Sequence, residues 1–453
     1  MKRKKLFAAV LTASMCITTL AGCGNKEEAK DTTTGSEASS QETEQKDETA
    51  KTDDTAEGKE ASDTGNQVKI TFWNMFAGGE GDFCDQIVKD FNESQSEVEV
   101  EAVRLEPNEF YAKYGAALAS GKGPDVAVTH SDKLAPFVSG GQLAELDSLA
   151  DAVGFDFSEI SDLNMDAVAF DGKHYSVPID THFHLCYYNK EILQQAGKLK
   201  EDGTPDFGDL TPEGFTKFLE EIKTAVPDKQ PFSVNTPYFN QPFYNLYYEA
   251  GGNILSEDFS KADINNEKAK AVLDFYMNAY DTGLADINDV NPWDTFANGE
   301  SAIWFGGVWE AGNFFSEENG DKFGAVALPA IFGSESHWAS SHGLTVPEYT
   351  DPQKKEAAMK FMVYFSTQGA QIWGNAGHVP ACTAIAESDE YQALPYRDEF
   401  VKAQKTVKFA PPIDNYNAVD TVITEQLQTI IFKEVTVEEG LNKIEEEVNS
   451  LLQ

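Results

Sequence analysis

Strand-like and helix-like apolar patterns alternate near the start of the folded part of the chain, and this alternation limits the possible folds most strongly. Residues 68–73, 98–103 and 126–128 have the patterns of strands, whereas residues 83–92 and 109–120 carry apolar side chains at helical spacing. A succession of strand, helix, strand, helix and strand predicts a parallel sheet covered by helices on both faces. In such a sheet, ligands bind beyond the carboxyl ends of the strands.

A second α/β region follows the first. Residues 175–188 read as one long extended segment, and 304–309 as a turn rich in glycine and aromatic residues at the end of a strand. Further helices are predicted near 212–225, 241–250, 267–282, 353–366 and 437–452, and further strands near 232–235 and 325–329. The 453-residue chain is too long for one small hydrophobic core. Two lobes are therefore expected.

The N-terminal residues predict export from the cytoplasm. Residues 1–22 have the composition of a signal peptide, with four basic residues followed by an apolar stretch too short to span a bilayer. The stretch ends in Leu20-Ala21-Gly22-Cys23, which resembles the bacterial lipobox. We expect lipid on Cys23 to anchor the chain to the outer face of the bacterial cytoplasmic membrane. A plain signal peptide with a chance cysteine is the alternative.

Composition limits the possible partners. Residues 23–66, which begin with the lipidated Cys23, carry almost no large apolar side chain and predict a disordered acidic tether. The net charge of −41 excludes nucleic acid as a partner and disfavours anionic ligands. Cys84, Cys186 and Cys382 are widely separated and odd in number, so they imply no disulfide framework.

Ten short pieces follow one another along residues 67–453. They are GPD at 123–125, FVSGGQLAEL at 137–146, YYNK at 187–190, AG at 196–197, YEAGG at 248–252, NGESA at 298–302, GVW at 307–309, LP at 328–329, the helix at 355–365 and GHVP at 377–380. In the same order they resemble the motifs of the extracellular solute-binding proteins of sugar ABC importers, the maltose-binding and multiple-sugar-binding group. Each piece is weak alone, and their fixed order carries the resemblance.

The resemblance implies a periplasmic-binding-protein-like α/β fold with two lobes, a hinge of three crossing segments and a cleft between the lobes. We expect the N-terminal lobe to contain 67–180 and 336–378, and the C-terminal lobe 184–332 and 382–453. The crossings are expected near 179–184, 331–336 and 378–382. The implied function is capture of a carbohydrate by lobe closure and delivery to the permease subunits of the importer, by a protein that acts as a monomer and needs no cofactor.

Candidate ligand-binding residues come from both lobes. Trp73, Asn74 and Phe76 follow the first strand, and Asp132 and Lys133 follow the third; the resemblance implies that they hold the sugar. The family has an aromatic residue where this chain has Thr129, so one stacking surface is missing. In the second lobe the resemblance implies that further residues contact the ligand, and these are Tyr238, Phe239, Trp309, Trp338 and Tyr416. Aromatic rings suit the C–H faces of sugars, and charged side chains suit their hydroxyls.

Asp180, His182 and His184 alternate along the extended segment and would share one face of a strand. Three interpretations stay open for them. They could line the cleft, with Asp180 and His182 as ligand contacts; they could pack structurally; or they could chelate a metal. The family needs no metal, and none is expected here.

An enzyme is the main alternative, in the form of a lipid-anchored glycoside hydrolase. That reaction needs two carboxylates about 5–10 Å apart, and a chain this acidic always offers such a pair. No signature of serine hydrolases, zinc proteases or nucleotide-binding proteins is present. A sugar-sensing or adhesive lipoprotein without a transport role is a further alternative. The sequence does not specify the sugar or its length.

Overall fold

The computed structural model describes residues 67–453. The predicted signal peptide, Cys23 and the predicted tether lie outside the described residues. No helix within 67–453 combines the length and the apolar composition needed to cross a bilayer. The three cysteines in this range, Cys84, Cys186 and Cys382, are free and buried.

The strands of the described residues belong to two main sheets and a small hairpin. They are β1 Val68–Asn74, β2 Val98–Arg104, β3 Val126–His130, β4 Ala169–Phe170, β5 Lys173–His174, β6 Val177–Pro178, β7 Asp180–Asn189, β8 Gln230–Ser233, β9 Ser301–Gly307, β10 Phe323–Val326, β11 His337–Ser340, β12 His342–Thr345, β13 Val379–Pro380 and β14 Val407–Lys408.

Helices separate and cover these strands. They are α1 Gly78–Ser94, α2 Pro107–Ser120, α3 Ser131–Ser139, α4 Asp147–Val153, α5 Asp162–Ala167, α6 Lys190–Gln195, α7 Pro212–Ala225, α8 Asn240–Glu249, α9 Glu267–Asp281, α10 Pro292–Ala297, α11 Ala311–Phe314, α12 Pro352–Ser366, α13 Ala370–Ala376, α14 Thr383–Ala386, α15 Asp389–Gln392, α16 Arg397–Gln404, α17 Tyr416–Ile431 and α18 Val437–Leu451. Short 3₁₀ turns lie at Phe157–Glu159, Thr236–Tyr238 and Val308–Glu310.

The first sheet has five strands in the order β2-β1-β3-β12-β6. Strand β1 pairs in parallel with β2 and β3, as the alternation of strands and helices along the chain predicts. Strand β12 is antiparallel to β3 and comes from far along the chain, which makes the sheet mixed. The sequence gives no sign of β12, because His342–Thr345 is short and lacks apolar alternation.

The first region consists of the first sheet and the helices that pack on it. Its core lies between that sheet and those helices. Phe72 of β1 contacts Phe361 and Phe365 of α12, with ring centroids 5.1 and 6.3 Å apart. Phe91 of α1 packs on Phe361 as well, at 5.3 Å. Helix α12 begins at Pro352, whose fixed backbone angle suits a first turn, and the Asp351 carboxylate accepts a hydrogen bond from the Gln353 N–H.

The second sheet is organised around β7. Its path is β14-β11-β7-β9-β8, and β10 and β13 also pair with β7. All ten residues of β7 are buried, which agrees with the long extended segment predicted for this part of the chain. Strand β7 therefore connects most of the second sheet.

The second region consists of the second sheet and the helices that pack on it, and it has a separate core. Phe215, Phe218, Leu219 and Ile222 form the buried face of α7, as their helical spacing predicts. The α7 helix begins after Thr211, whose hydroxyl accepts a hydrogen bond from the Gly214 N–H.

The chain passes between the two sheets at short intervals. Strand β6 belongs to the first sheet and β7 to the second, with only Ile179 between them. Strand β11 belongs to the second sheet and β12 to the first, with only Ser341 between them. This second passage lies several residues beyond the expected crossing at 331–336.

Candidate ligand-binding cleft

A cavity of about 390 Å³ lies where the two sheets face each other. The first region contributes residues that follow β1 and β3, and the second contributes residues from the ends of strands and from helices. The lining residues are Met75, Phe76, Ala77, Glu80, Pro107, Tyr111, His130, Asp132, Lys133, His182, Tyr238, Asn240, Gln241, Trp309, Trp338, Ser340, His342, Ala410, Tyr416 and Asp420. This volume falls in the range typical of small-molecule sites.

Asp132 and Lys133 form a charged pair in the first turn of α3, directly after β3. The Lys133 Nζ lies 3.0 Å from the Asp132 carboxylate, and the Ser340 hydroxyl donates a hydrogen bond to the same carboxylate at 3.1 Å. Burial acts to raise the pKa of Asp132, but the charge of Lys133 and these hydrogen bonds outweigh it and lower the pKa to about 2. The pair is therefore ionised and can hold polar groups of a ligand.

Asp420 is the acidic group that the second region contributes to the cavity lining. It lies one helical turn after Tyr416 on α17, and its carboxylate accepts hydrogen bonds from the Tyr244 hydroxyl at 2.9 Å and the Asn240 side-chain amide at 3.2 Å. Burial raises the pKa of Asp420, and the positive charge of Lys133 opposes this increase. Sequence reasoning missed Asp420, although the four-residue spacing from Tyr416 was a usable signal.

Aromatic rings supply the apolar surface of the cavity. Phe76 comes from the first region, and Tyr238, Trp309, Trp338 and Tyr416 come from the second. The Tyr238 side chain is 51% exposed at the rim. Flat rings with polar partners between them form the kind of surface that suits a sugar, whose C–H groups pack on a ring while its hydroxyls accept and donate hydrogen bonds.

Two glycines make room for the tryptophan rings of this region. A Cβ on Gly307 would lie 2.1 Å from the Trp309 ring, and one on Gly306 would lie 2.3 Å from the Trp304 ring. Gly307 has a φ of −71°, which any residue adopts. Glycine is therefore needed at Gly307 for the space beside the ring and not for its backbone angles.

A group of histidines forms the inner wall of the cavity. The His342 ring lies 4.2 Å from the His182 ring and 4.4 Å from the His130 ring, measured between centroids. Burial lowers the pKa of His182 to about 4, with a further contribution from His342. His342 was missed from the sequence, because it comes from a strand that shows no local pattern.

Asp180 lies behind this wall and does not line the cavity. Its carboxylate accepts hydrogen bonds from the His342 backbone N–H at 3.0 Å and the Trp373 indole N–H at 2.7 Å, and it also contacts His182 and His342 side chains. Burial acts to raise its pKa, but the surrounding imidazoles and hydrogen bonds hold the pKa well below its usual value. A direct sugar contact by Asp180 is not supported, because its carboxylate does not reach the cavity.

Three other predicted contacts also lie away from the cavity. Trp73 packs against the first core, because β1 alternates and the cavity is reached only by the residues that follow the strand. Asn74 is buried, and its side-chain oxygen accepts a hydrogen bond from the Phe76 N–H at 3.2 Å, which shapes the turn. Phe239 packs in the second core against Tyr276, with ring centroids 5.0 Å apart.

Eight of the twelve predicted contacts do line the cavity: Phe76, Asp132, Lys133, His182, Tyr238, Trp309, Trp338 and Tyr416. Sequence reasoning missed several other lining residues. Tyr111 and Glu80 are examples, and both come from helices that the sequence marks only as amphipathic.

A second cavity of about 350 Å³ adjoins the first and shares Tyr238, Gln241 and Trp309 with it. Its further lining includes Trp293, Trp304 and His184. The His184 ring lies 5.7 Å from the Trp309 ring and 5.4 Å from the Trp338 ring, and its Nδ1 is 2.8 Å from the Asn245 side-chain nitrogen. The cleft therefore continues past Trp309 as a second aromatic compartment.

Glu310 is the acidic group of the second cavity. The Trp293 indole N–H donates a hydrogen bond to its carboxylate. Burial raises the pKa of Glu310 to about 7, although the Trp293 hydrogen bond opposes the increase.

The sequence model of the bacterial extracellular solute-binding proteins matches residues 86–398. This chain belongs to that family. Members of the family are binding proteins, so the glycoside hydrolase alternative is rejected.

Individual relatives within the solute-binding protein family are distant. The maltodextrin-binding protein MdxE of Bacillus subtilis is 23% identical over 65% of this chain and 69% of its own length. The diacetylchitobiose binding protein DasA of Streptomyces coelicolor is 27% identical over 56% of this chain and 58% of its own length. A solved structure, an ABC substrate-binding protein from Listeria monocytogenes in complex with cycloalternan, superposes with a TM-score of 0.76 at 22% identity, over 85% of this chain and 99% of that one. The two-lobed α/β fold expected from the motifs is confirmed.

Proposed function

We propose that this solute-binding protein captures a carbohydrate, specifically an oligosaccharide, and delivers it to the permease subunits of an ABC importer. The observation that carries the proposal is the convergence of aromatic rings and charged side chains from both sheets on one cavity. The relatives whose names include maltodextrin and diacetylchitobiose support a sugar as the ligand class.

The polarity of the cavity favours an uncharged, hydroxyl-rich ligand. Asp132, Lys133 and Asp420 offer charged hydrogen-bonding groups, which bind hydroxyls more strongly than neutral groups do. Phe76 and Trp309 offer flat apolar surfaces from opposite regions. The single lysine of the lining is paired with Asp132, so it is not a free cation that would attract an anionic ligand.

The adjoining cavities favour an oligosaccharide over a single sugar ring. Trp309 belongs to both compartments, so a chain of sugar units could pack along both sides of it. The combined space of about 390 and 350 Å³ supports this length.

Capture is proposed to proceed by closure of two lobes, with 67–179 and 341–378 in one and 180–340 and 382–453 in the other. The expected boundary near 336 is moved to Ser341, because β11 belongs to the second sheet. Two core clusters with separate residues support the division: the first draws mainly on residues before 180 and the second on residues after 185. A ligand drives closure only by binding the closed form better. A shift from 1% to 99% closed needs about 5.5 kcal/mol of such preference.

The site of action is proposed to be the outer surface of the cytoplasmic membrane, with lipid on Cys23 and residues 24–66 as the tether. The lipobox-like sequence supports this location. We further propose that the protein acts as a monomer, because each chain carries both sides of the cleft.

The test is isothermal titration of the protein with maltooligosaccharides and chitooligosaccharides of increasing length. We expect one sugar per chain and unchanged sugar after binding. Trp309→Ala should weaken binding at least tenfold, because the ring supplies stacking surface to both compartments. Phe432→Ala, which removes an exposed ring that lines neither cavity, is the matched control. Equal affinity of the Trp309 variant and the wild type would contradict the proposed site.

A further inference from the structure

Four buried side chains at the inner wall of the cleft bring metal-binding atoms together. Asp180, His182, His342 and His378 each offer one donor atom, and these four atoms lie within 4.8 Å of one another. None of the four side chains is more than 6% exposed. Three imidazoles and a carboxylate are a ligand set that proteins use for zinc.

The contacts to Asp180 have the spacing of neighbouring ligands. The Nδ1 atoms of His182, His342 and His378 lie 3.1, 2.8 and 3.3 Å from the Asp180 carboxylate oxygens. Metal–ligand bonds of about 2.0–2.2 Å in a tetrahedral site place neighbouring donors roughly 3.3 Å apart. A small inward movement of the imidazoles would therefore complete a coordination sphere.

His378 provides an independent sign of a missing partner. Its side chain is fully buried, and its Nδ1 has no hydrogen-bond partner although it faces the cluster. Its other ring nitrogen, Nε2, lies 2.6 Å from the Glu80 carboxylate. A carboxylate on the far nitrogen is the usual support for a metal-bound histidine, because it fixes the orientation of the ring. The unsatisfied Nδ1 and the Glu80 contact at Nε2 together match the arrangement of a metal-binding histidine.

The cluster also connects both sheets. Asp180 and His182 belong to β7 of the second sheet, His342 belongs to β12 of the first, and His378 precedes β13. An ion here would join the segments at which the chain passes between the lobes.

We propose that Asp180, His182, His342 and His378 bind one divalent transition-metal ion, with zinc as the best fit to three imidazoles and one carboxylate. This site is separate from the proposed sugar contacts, apart from His182 and His342, whose rings lie between the ion and the cavity. The opposing interpretation is that Asp180 only receives hydrogen bonds from its neighbours.

The first experiment is a calorimetric titration of metal-free, tag-free protein with Zn²⁺. In a second titration Co²⁺ replaces Zn²⁺, and its visible absorption reports binding. We expect one ion per chain with a dissociation constant below 1 µM, a value on the order of known protein zinc sites. Binding should be lost in His378→Ala and His342→Ala. It should be retained in His174→Ala, which removes a half-buried histidine paired with Asp147 outside the cluster. Glu80→Gln should weaken binding by about 10–100-fold, as loss of a supporting carboxylate does.

A measurement on the wild type keeps the test independent of variant folding. X-ray absorption of the zinc-loaded protein should show three imidazole nitrogens and one oxygen around the ion. The proposal would be overturned by absence of binding to the wild type, by cluster variants that bind Zn²⁺ as tightly as the wild type, or by a different ligand set. Sugar titrations of metal-free and zinc-loaded protein are read separately, so failure of the metal site leaves the carbohydrate proposal standing.

Discussion

Trp309 shows how neighbouring residues define one functional side chain. Its ring lies beside Gly307, contacts His182 and His184 at 5.8 and 5.7 Å, and faces both cavities. The resemblance to sugar-binding proteins implied a ligand contact by Trp309, but the direction of each ring was not predictable. Tyr238 and Phe239 make the same point: they are adjacent in sequence, yet one lies at the rim and the other in the core. The difference depends on how the 3₁₀ turn at Thr236–Tyr238 meets α8.

Glu310→Gln should change the pH dependence of stability. In the folded protein burial raises the pKa of Glu310 to about 7, whereas the unfolded carboxyl titrates near 4.5. Between these values the folded state holds a proton that unfolding releases, so this group's contribution to stability is lost as pH rises. Without sugar, the melting temperature of the glutamine variant should therefore be higher than that of the wild type above pH 7. Below pH 4.5 the two melting temperatures should differ little.

The exposed Glu317→Gln variant is the control for this series. Its melting temperature should follow that of the wild type at every pH. A constant offset of the Glu310 variant across the whole range would contradict the proposed titration.

At the scale of helices and strands, apolar periodicity predicted the long strands and seven of the helices in the described residues, but it missed α17 and the short helices. The parallel β1, β2 and β3, the buried β7 and the amphipathic α7 follow their sequence patterns closely. Strand β12 does not, because its position in the first sheet depends on pairing with β3 and β6 and not on its own composition. Short strands near the passages between sheets are determined by tertiary contacts.

The N-terminus of α18 offers a local test of stability. The Thr436 hydroxyl accepts a hydrogen bond from the Glu439 N–H, and the Glu439 carboxylate accepts one from the Thr436 N–H. Thr436→Ala should lower the free energy of unfolding by about 1 kcal/mol, measured by urea denaturation. Thr421→Ala, an exposed position inside α17, should be close to neutral. Equal effects of the two substitutions would contradict a capping role.

At the scale of the whole molecule, the sites assemble from segments far apart in sequence. The histidines of the inner wall come from β3, β7 and β12, and His378 follows α13. Sequence patterns predicted that His182 and His184 share a strand face, but only the folded chain brings His342 and His378 to Asp180. Long-range assembly of this kind leaves no local pattern.

Direct contacts between the two regions bear on lobe closure. The Ser139 hydroxyl of α3 donates a 2.6 Å hydrogen bond to the Asp414 carboxylate, and neither residue lines the cavity. We expect this hydrogen bond to form only when the lobes are closed. Ser139→Ala would then remove about 1 kcal/mol from the closed form and reduce apparent sugar affinity by about fivefold. Calorimetry measures the affinity. Small-angle X-ray scattering of the wild type should show a larger radius of gyration without sugar than with it.

Ser120→Ala makes the same chemical change at an exposed position whose hydroxyl bonds within its own helix. It should leave the affinity unchanged. A Ser139 variant that binds as tightly as the wild type would show that this contact does not contribute to closure.

The burial of Cys84, Cys186 and Cys382 has a practical consequence. Burial also raises the pKa of the Cys84 and Cys186 thiols, so these two stay protonated and slow to react. Among residues 67–453, a fluorescent maleimide would therefore leave the native thiols largely untouched. A pair of cysteines introduced on the surface, one beside each sheet, could carry two dyes and report single opening and closing events as a sugar arrives and departs.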